Sequence, residues 1–232
     1  FTQANQLPFL VSVPLTILVC GLLGVVVERL LVRPLYQRPF DTLLATWGLS
    51  LLLREIAEWI YGKGYKNIDV PVPGSASLLG ADYPAYRLLL IVISVLVVGG
   101  LIVWFVRSAT GKRIKATVNN PELAGSVGVN VTALARNTFV FGTCLGGLAG
   151  VMLAPLVTVQ PLMGLDYILK SFFVMVIGGL GGLAGLGAGS GIVGGVESIV
   201  SAVFDRTAGY TTVLLIAILF LWLRPNGLFS RA

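Results

Sequence analysis

The residues best suited to chemistry lie in one apolar stretch, Thr42 to Tyr61. Four polar side chains recur there at every fourth residue and would share one slowly drifting stripe of a helix. They are Thr46, Ser50, Arg54 and Glu58, with Trp47 and Glu55 beside them. With Thr42 at the inner end, Arg54 lies roughly 18 Å along the helix, past the middle of a bilayer. The stripe predicts either a polar path for a small solute or a structural Arg54–Glu58 pair at the outer interface.

The chemistry of most enzymes is missing. The chain has no histidine, which removes the commonest general base and metal ligand. Cys20 and Cys144 lie inside apolar stretches and are typical of small buried residues. Gly111-Lys112-Arg113 comes nearest to a GxxxxGK[ST] loop but lacks its first glycine and its hydroxyl. We expect no catalytic residue, no metal site and no cofactor bound by this chain, and no ATP hydrolysis by it.

Composition indicates where such a stripe would lie. The chain has 232 residues, of which 56% are hydrophobic and 11% charged. Soluble domains carry about 25% charged residues, so the apolar surplus must face lipid. The net charge of +6 comes largely from short Lys and Arg clusters between apolar stretches, which set topology and argue against a nucleic-acid partner.

The elements that would position the stripe are apolar segments long enough to be helices. Seven can be marked: Pro8 to Val27, Thr42 to Tyr61, Leu88 to Val106, Asn137 to Thr158, Ile168 to Leu183, Ala188 to Phe204 and Tyr210 to Leu223. They predict an all-α membrane protein, a polytopic bundle with about 7 membrane segments in a single transmembrane domain over 1–232. Because the chain begins at Phe1 without a methionine, we expect a further span to precede it.

Basic residues predict the orientation of the bundle. They cluster at Arg29 to Arg38, at Arg107 to Arg136 and in the tail from Arg224 to Arg231. Seven crossings place these three regions on one side, which should be the cytoplasm. Phe1 and the loop 62–87 then lie outside, and the C-terminus lies inside.

The cytoplasmic loop 107–136 contains a strong helix start. Asn120 can accept hydrogen bonds from free amides, Pro121 suits the first helical position, and Glu122 complements the positive helix end. Leu123, Ala124 and Val127 form an apolar strip before Gly128, which can stop the helix. This pattern predicts either a short helix that docks into the groove of a partner or one that lies on lipid headgroups.

A glycine tract from Gly178 to Gly195 could pack helices closely or break a helix in the membrane. Its small residues recur at four-residue spacing, which lets helix backbones approach each other. The glycines concerned are Gly178, Gly179, Gly181, Gly182, Gly185, Gly189, Gly191 and Gly195. A GxGxxG match inside the tract has no preceding strand and is not a dinucleotide site. A broken segment would instead expose backbone groups to a pathway.

Polar residues in the later segments are few. Ser171 and Glu197 are included in the predicted substrate path, because Glu197 is the one carboxylate deep in the sixth segment. Asp166 and Lys170 are predicted to form an i,i+4 pair at the outer start of the fifth segment.

Four stretches together resemble one family. Asp41 to Glu55, Asn119 to Arg136, Ser171 to Gly189 and Arg224 to Phe229 occur in the order found in permease subunits of the branched-chain amino acid and urea ABC importers of bacteria. The resemblance implies an inner-membrane subunit that pairs with a second, homologous permease, two cytoplasmic ATPases and an extracytoplasmic binding protein. The ATPases would carry ATP and Mg, and Glu122 to Gly128 would be the coupling helix in an ATPase groove.

The substrate stays open between two classes. The stretch ATWGLSLLL and the Gly-rich segment look closer to the urea and short-amide branch, for which Thr46 and Ser50 would suffice. A branched-chain amino acid needs partners for its two charges, such as Arg54 with Glu55 or Glu58. Two other functions remain as alternatives: an ion-coupled carrier that uses Glu197, and a passive urea or amide channel.

Overall fold

Helices dominate the chain in the computed structural model, which describes residues 9–36, 38–72, 74–78, 81–179 and 182–223. The helices and strands follow in chain order. They are α1 (Phe9–Val27), α2 (Pro39–Tyr61), β1 (Ser75–Leu78), β2 (Ala81–Pro84), α3 (Ala85–Arg107), α4 (Ala109–Asn119), α5 (Pro121–Ser126), α6 (Val131–Leu153), α7 (Met163–Gly178), α8 (Leu183–Val203) and α9 (Arg206–Leu223). Beyond α1 the chain continues through a π-helical turn, Glu28–Val32, and a 3-10 turn, Arg33–Leu35.

Three of the described helical stretches are long and apolar enough to cross a membrane. They are Val11–Leu35, Ala85–Arg107 and Gly185–Val203, and Thr207–Trp222 is a shorter apolar helix. Each of the seven predicted apolar segments coincides with a long helix among the described residues. The count of seven membrane crossings, and the single domain over 1–232, stay predictions.

The connection between α2 and α3 departs from the all-α expectation. β1 and β2 pair as an antiparallel hairpin, with Ser75 opposite Pro84. Elsewhere in this loop Lys66 exchanges backbone hydrogen bonds with Val159, at 3.1 and 2.9 Å. The amides and carbonyls of a long loop have no hydrogen-bond partners within a helix. The strand pairings supply such partners, which is why this connection contains strand structure.

Contacts within the chain divide it into two compact units. The first unit comprises residues 1–94 and 108–161, and its centre is the antiparallel packing of α1 on α6. Small residues allow this contact, since a side chain at Gly24 would meet Thr143 and one at Gly147 would meet Cys20. In the same unit the Tyr86 hydroxyl donates to the Met152 carbonyl at 2.8 Å.

The second unit comprises residues 95–107 and 162–232, and α7, α8 and α9 pack together in it. Its buried centre is formed by Ile177, Val193, Val213 and Ala217. Phe173 and Phe220 pack against this centre from α7 and α9. Burial of these apolar groups holds the three helices around the glycine tract.

Candidate functional site

The polar stripe of α2 contains an ion-pair network in the first unit. The Arg54 Nε atom lies 3.6 Å from Glu58 Oε1, and the Nη2 atom lies 3.8 Å from Glu55 Oε2. Lys63, just past the helix, approaches Glu58 Oε2 at 3.9 Å. The predicted Arg54–Glu58 pair is therefore present, and Glu58 has a second cation that the sequence analysis did not assign to it.

Arg54 retains hydrogen-bonding capacity within this network. Its Nε atom is buried, and it has no hydrogen-bond partner among the described residues. The separation of 3.6 Å from Glu58 is longer than an N–H···O bond, which normally measures 2.7–3.2 Å. The Nε donor is therefore unsatisfied but covered by its surroundings, and the exposed third of the Arg54 side chain is the part that a bound carboxylate or carbonyl could reach.

The hydroxyl half of the stripe is bonded to its own helix. Thr46 Oγ1 donates to the Thr42 carbonyl at 2.8 Å, and Ser50 Oγ donates to the Trp47 carbonyl at 2.7 Å. The lone pairs of both hydroxyls still accept, so they can receive hydrogen bonds from the N–H groups of a solute. Trp47 is 63% exposed and stands beside them.

A second charged group lies in the second unit, and Glu197 belongs to it. The Lys170 Nζ atom on α7 lies 2.6 Å from Glu197 Oε1 on α8. The same ammonium lies 4.4 Å from the centre of the Tyr210 ring on α9, so one cation joins all three helices. This corrects the predicted partner of Lys170, because its ion pair among the described residues is with Glu197 rather than Asp166.

The sequence contained a signal for this contact. Lys170 lies seven residues into α7 and Glu197 lies six residues before the end of α8. Antiparallel neighbours place these positions at one level, and opposite charges at equal depth in adjacent apolar segments favour pairing. Ser171, the neighbour of Lys170, has its hydroxyl bonded to the Tyr167 carbonyl at 2.7 Å.

The glycine tract connects two helices and packs them together. α7 ends at Gly178, Gly179 has a φ of 85°, and α8 begins at Leu183 as the antiparallel neighbour of α7. A helix broken within the membrane stays a prediction. A side chain at Gly178 would collide with the Gly185 backbone, and one at Gly189 would lie 2.7 Å from the Val174 carbonyl oxygen. Gly182, Gly191 and Gly195 have nothing within 4 Å, so they take no part in this contact, and Gly181 lies outside the described residues.

The start of α8 has no side-chain cap, because the residue before it is Gly182. The first amides of a helix have no partner within the helix and form its positive end. Amides at this position can donate to a solute or to another chain. The backbone of this tract could therefore act as a ligand.

The helix start predicted at Asn120 is present in the first unit. Asn120 Oδ1 accepts from the amides of Glu122 and Leu123, at 3.1 and 3.0 Å. Gly128 follows the helix with a φ of 86°, and its amide donates to the Gly125 carbonyl at 3.0 Å. α5 is therefore a short helix that is closed at both ends.

The exposed face of α5 is narrower than predicted. Leu123 and Val127 are 64% and 79% exposed, whereas Ala124 is buried. The backbone turns back just after α5, where the Val129 amide donates to the Ala124 carbonyl at 3.0 Å. A cavity of about 390 Å³ lies beside this end of α5 and is lined in part by Arg113, Val127 and Asn130.

The substrate-path residues fall in both units. The six on α2 lie in the first unit, and Ser171 and Glu197 lie in the second. Within each unit the charged members form ion pairs rather than standing alone. The tail motif from Arg224 to Phe229 lies outside the described residues.

Comparisons with known proteins identify the family of the chain. The profile of the family described as branched-chain amino acid transport system / permease component matches residues 1–223. The chain is 26% identical to the high-affinity branched-chain amino acid transport system permease protein BraD of Pseudomonas aeruginosa, over 93% of the chain and 73% of that protein.

Two further relatives extend this likeness. The corresponding permease protein LivH of Escherichia coli K12 is 23% identical over 93% of the chain and 72% of that protein. The probable branched-chain amino acid transport permease protein LivH of Methanocaldococcus jannaschii is 26% identical over 95% of the chain and 74% of that protein. No solved structure is significantly similar.

The profile matches nearly the whole chain, and the described residues include helices apolar and long enough to cross a membrane. The chain belongs to the family of branched-chain amino acid transport system permease components, the membrane subunits of ABC importers, which are not enzymes themselves.

Proposed function

We propose that this chain is the membrane-spanning subunit of an ATP-driven importer that moves branched-chain amino acids into the cytoplasm by alternating access. The observation that carries the proposal is α5, a closed helix with Leu123 and Val127 exposed, in a chain without an ATPase motif. Exposed apolar side chains on a short capped helix suit a groove in a partner. Family membership supplies that partner, an ATPase subunit.

The assembly follows from this role. Two cytoplasmic ATPases drive the chain, a second homologous permease completes the pathway as a heterodimer, and an extracytoplasmic protein delivers the substrate. All seven long helices cross the inner membrane, with Phe1 outside and the C-terminus in the cytoplasm. The distribution of Lys and Arg supports this orientation, since α4 and α5 then lie on the ATPase side.

The substrate path follows the stripe of α2. A branched-chain amino acid carries a carboxylate and an ammonium, and the stripe offers a partner of each sign. The partly exposed guanidinium of Arg54 suits the carboxylate, and Glu55, which is the more exposed of the two glutamates, suits the ammonium. The relatives named above are described as branched-chain amino acid permeases, which supports the same class.

Urea or a short amide is the second candidate. The supporting observation is the hydroxyl pair of Thr46 and Ser50, whose lone pairs can accept from a neutral diamide. In this case the ion pairs of Arg54 would be structural. Wild-type uptake separates the two substrates, because each predicts accumulation of one labelled compound and exclusion of the other.

An ion-coupled carrier and a passive channel make different predictions. A carrier that titrates Glu197 needs this carboxylate to be free at some point of its cycle, and in the structure it is held by Lys170 at 2.6 Å. A carrier would accumulate substrate from the chain alone under a proton or sodium gradient. A channel would equilibrate urea without ATP.

Reconstitution tests the proposal. The chain is placed in liposomes with its second permease and two ATPases, ATP is enclosed, and the binding protein is supplied outside with labelled leucine or urea. We expect leucine accumulation that needs both ATP and binding protein. Accumulation by the chain alone under an ion gradient, or ATP-independent equilibration, would refute the proposal.

A further inference from the structure

A groove lies between α1 and α6 at one end of the first candidate span. Its volume is about 490 Å³. It is lined by Val25, Arg29, Arg136, Asn137, Val140, Phe141 and Cys144. All of these residues belong to the first unit, and none lies on the stripe of α2 or on α5.

The lining changes from polar to apolar along the helices. Arg29 lies near the end of the span Val11–Leu35, and Arg136 lies near the start of α6. The helices are antiparallel, so these two guanidinium-bearing positions share one end of the groove. Beyond them Val25, Val140 and Cys144 continue towards the middle of the helices for about 12 Å, at 1.5 Å per residue.

Both arginines lack a carboxylate partner in the part of the chain that the structure describes. No ion pair among the described residues involves Arg29 or Arg136. Glu28 precedes Arg29 in sequence, but its side chain is fully buried and does not line the groove. Its Oε1 atom accepts from the Tyr36 hydroxyl at 3.5 Å instead.

We propose that this groove binds one anionic phospholipid. The phosphate would be held by Arg29 and Arg136, and one acyl chain would lie along Val25, Val140 and Phe141. Two unpaired cations at the end of a membrane span stand at the level of lipid phosphates. The apolar walls below them exclude a free inorganic anion as the main occupant, because such an ion would leave the rest of the groove empty.

The site is separate from transport and stands whether or not the proposed substrate is correct. A lipid in the groove would lie beside the contact that small residues allow between α1 and α6. Basic residues near a membrane surface each strengthen binding of an anionic lipid severalfold. Two of them should give a preference for phosphatidylglycerol over phosphatidylcholine.

Native mass spectrometry of the full-length chain in detergent tests this proposal, with added dioleoyl phosphatidylglycerol or dioleoyl phosphatidylcholine. We expect one tightly retained phosphatidylglycerol and weaker retention of phosphatidylcholine. The double variant Arg29→Gln/Arg136→Gln should weaken phosphatidylglycerol binding about thirtyfold and remove the preference. Arg33→Gln/Arg38→Gln is the matched control, since it removes the same charge at the same end but outside the groove.

A second variant examines the apolar half. Val140→Trp should fill the groove and lower retention of both lipids, while inorganic phosphate should not displace phosphatidylglycerol from the wild type. Equal loss in the Arg33/Arg38 control would overturn the site, and displacement by phosphate would identify a simple anion site. A changed oligomeric state with unchanged lipid retention would assign the groove to a second protein chain. Thermal unfolding in detergent checks that each variant is folded.

Discussion

The Lys170 ammonium and the Glu197 carboxylate meet at 2.6 Å across α7 and α8, although the residues are 27 positions apart. Both side chains are mostly buried, with 25% and 20% of their surface exposed. The pair therefore links α7 and α8, the two helices that the glycine tract connects. Removal of one charge from such a pair lowers stability, because the other charge stays mostly buried without its partner.

Single substitutions in this pair should cost more than the double substitution. We expect Lys170→Met or Glu197→Gln to lower the free energy of unfolding by about 2 kcal/mol, since each leaves a partly buried polar group unpaired. Lys170→Met/Glu197→Gln should recover about half of that loss. Thermal unfolding of the four proteins in detergent gives the coupling energy, and additive single effects would show that the pair contributes no stability of its own.

The positive φ of Gly128 gives a second prediction. Gly128→Ala places a Cβ at a φ of 86°, which costs about 1 kcal/mol and should disturb the end of α5. Gly125→Ala is the matched control, because Gly125 lies inside the same helix with open space around it. In the reconstituted importer, transport should fall with Gly128→Ala and be retained with Gly125→Ala.

Two outcomes would contradict docking of α5 through Leu123 and Val127. If both variants transport normally while Leu123→Arg also does, α5 has no part in coupling to the ATPases. If Gly125→Ala alone reduces transport, the small face at Gly125 is the docking surface rather than the face of Leu123 and Val127.

Close packing in the glycine tract gives a third prediction. Gly189→Ala should lower the free energy of unfolding by about 1–3 kcal/mol, because the new Cβ would lie 2.7 Å from the Val174 oxygen and 2.9 Å from the Gly178 nitrogen. Gly191→Ala adds the same methyl group on the same helix, where nothing lies within 4 Å. Thermal unfolding in detergent should separate the two, and equal midpoints would contradict the packing.

The sequence predicted the existence of the long helices better than their ends. α6 begins at Val131, six residues before the predicted Asn137, because Asn130 caps the helix ahead of the polar residues Arg136 and Asn137. α7 begins at Met163 and stops at Gly178, where Gly179 leaves helical geometry. A search for apolar runs finds neither a helix start that precedes charged residues nor a stop inside an apolar run.

The local part of the candidate site was predictable from residue spacing, whereas the tertiary part also requires knowledge of which helices are neighbours. The Arg54–Glu58 pair and the cap at Asn120 depend on neighbours within four residues, so spacing reveals them. Lys170–Glu197 and the groove at Arg29 and Arg136 depend on which helices lie side by side. Nothing in the periodicity of one segment identifies its partner.

The hydroxyl of Thr46 gives the fourth prediction, which tests the path rather than stability. Thr46→Val removes intrahelical bonds to the Thr42 and Leu43 carbonyls, a loss that costs only a few tenths of a kcal/mol at a partly exposed helix position. If the stripe lines the path, the variant also loses an acceptor for the N–H groups of the substrate. Uptake by the reconstituted importer at low substrate should then fall about fivefold, the cost of one hydrogen bond.

Thr138→Val is the matched control, since Thr138 makes the same bond to the Leu134 carbonyl at 2.8 Å on α6. Both variants should unfold within a degree or so of the wild type. Equal uptake by the two would remove Thr46 from the path and leave the ion pairs of Arg54 as the remaining polar candidates on α2. A fall with Thr46→Val alone would mean that its hydroxyl contacts the moving substrate, because the stability change is matched and the position is the one difference left.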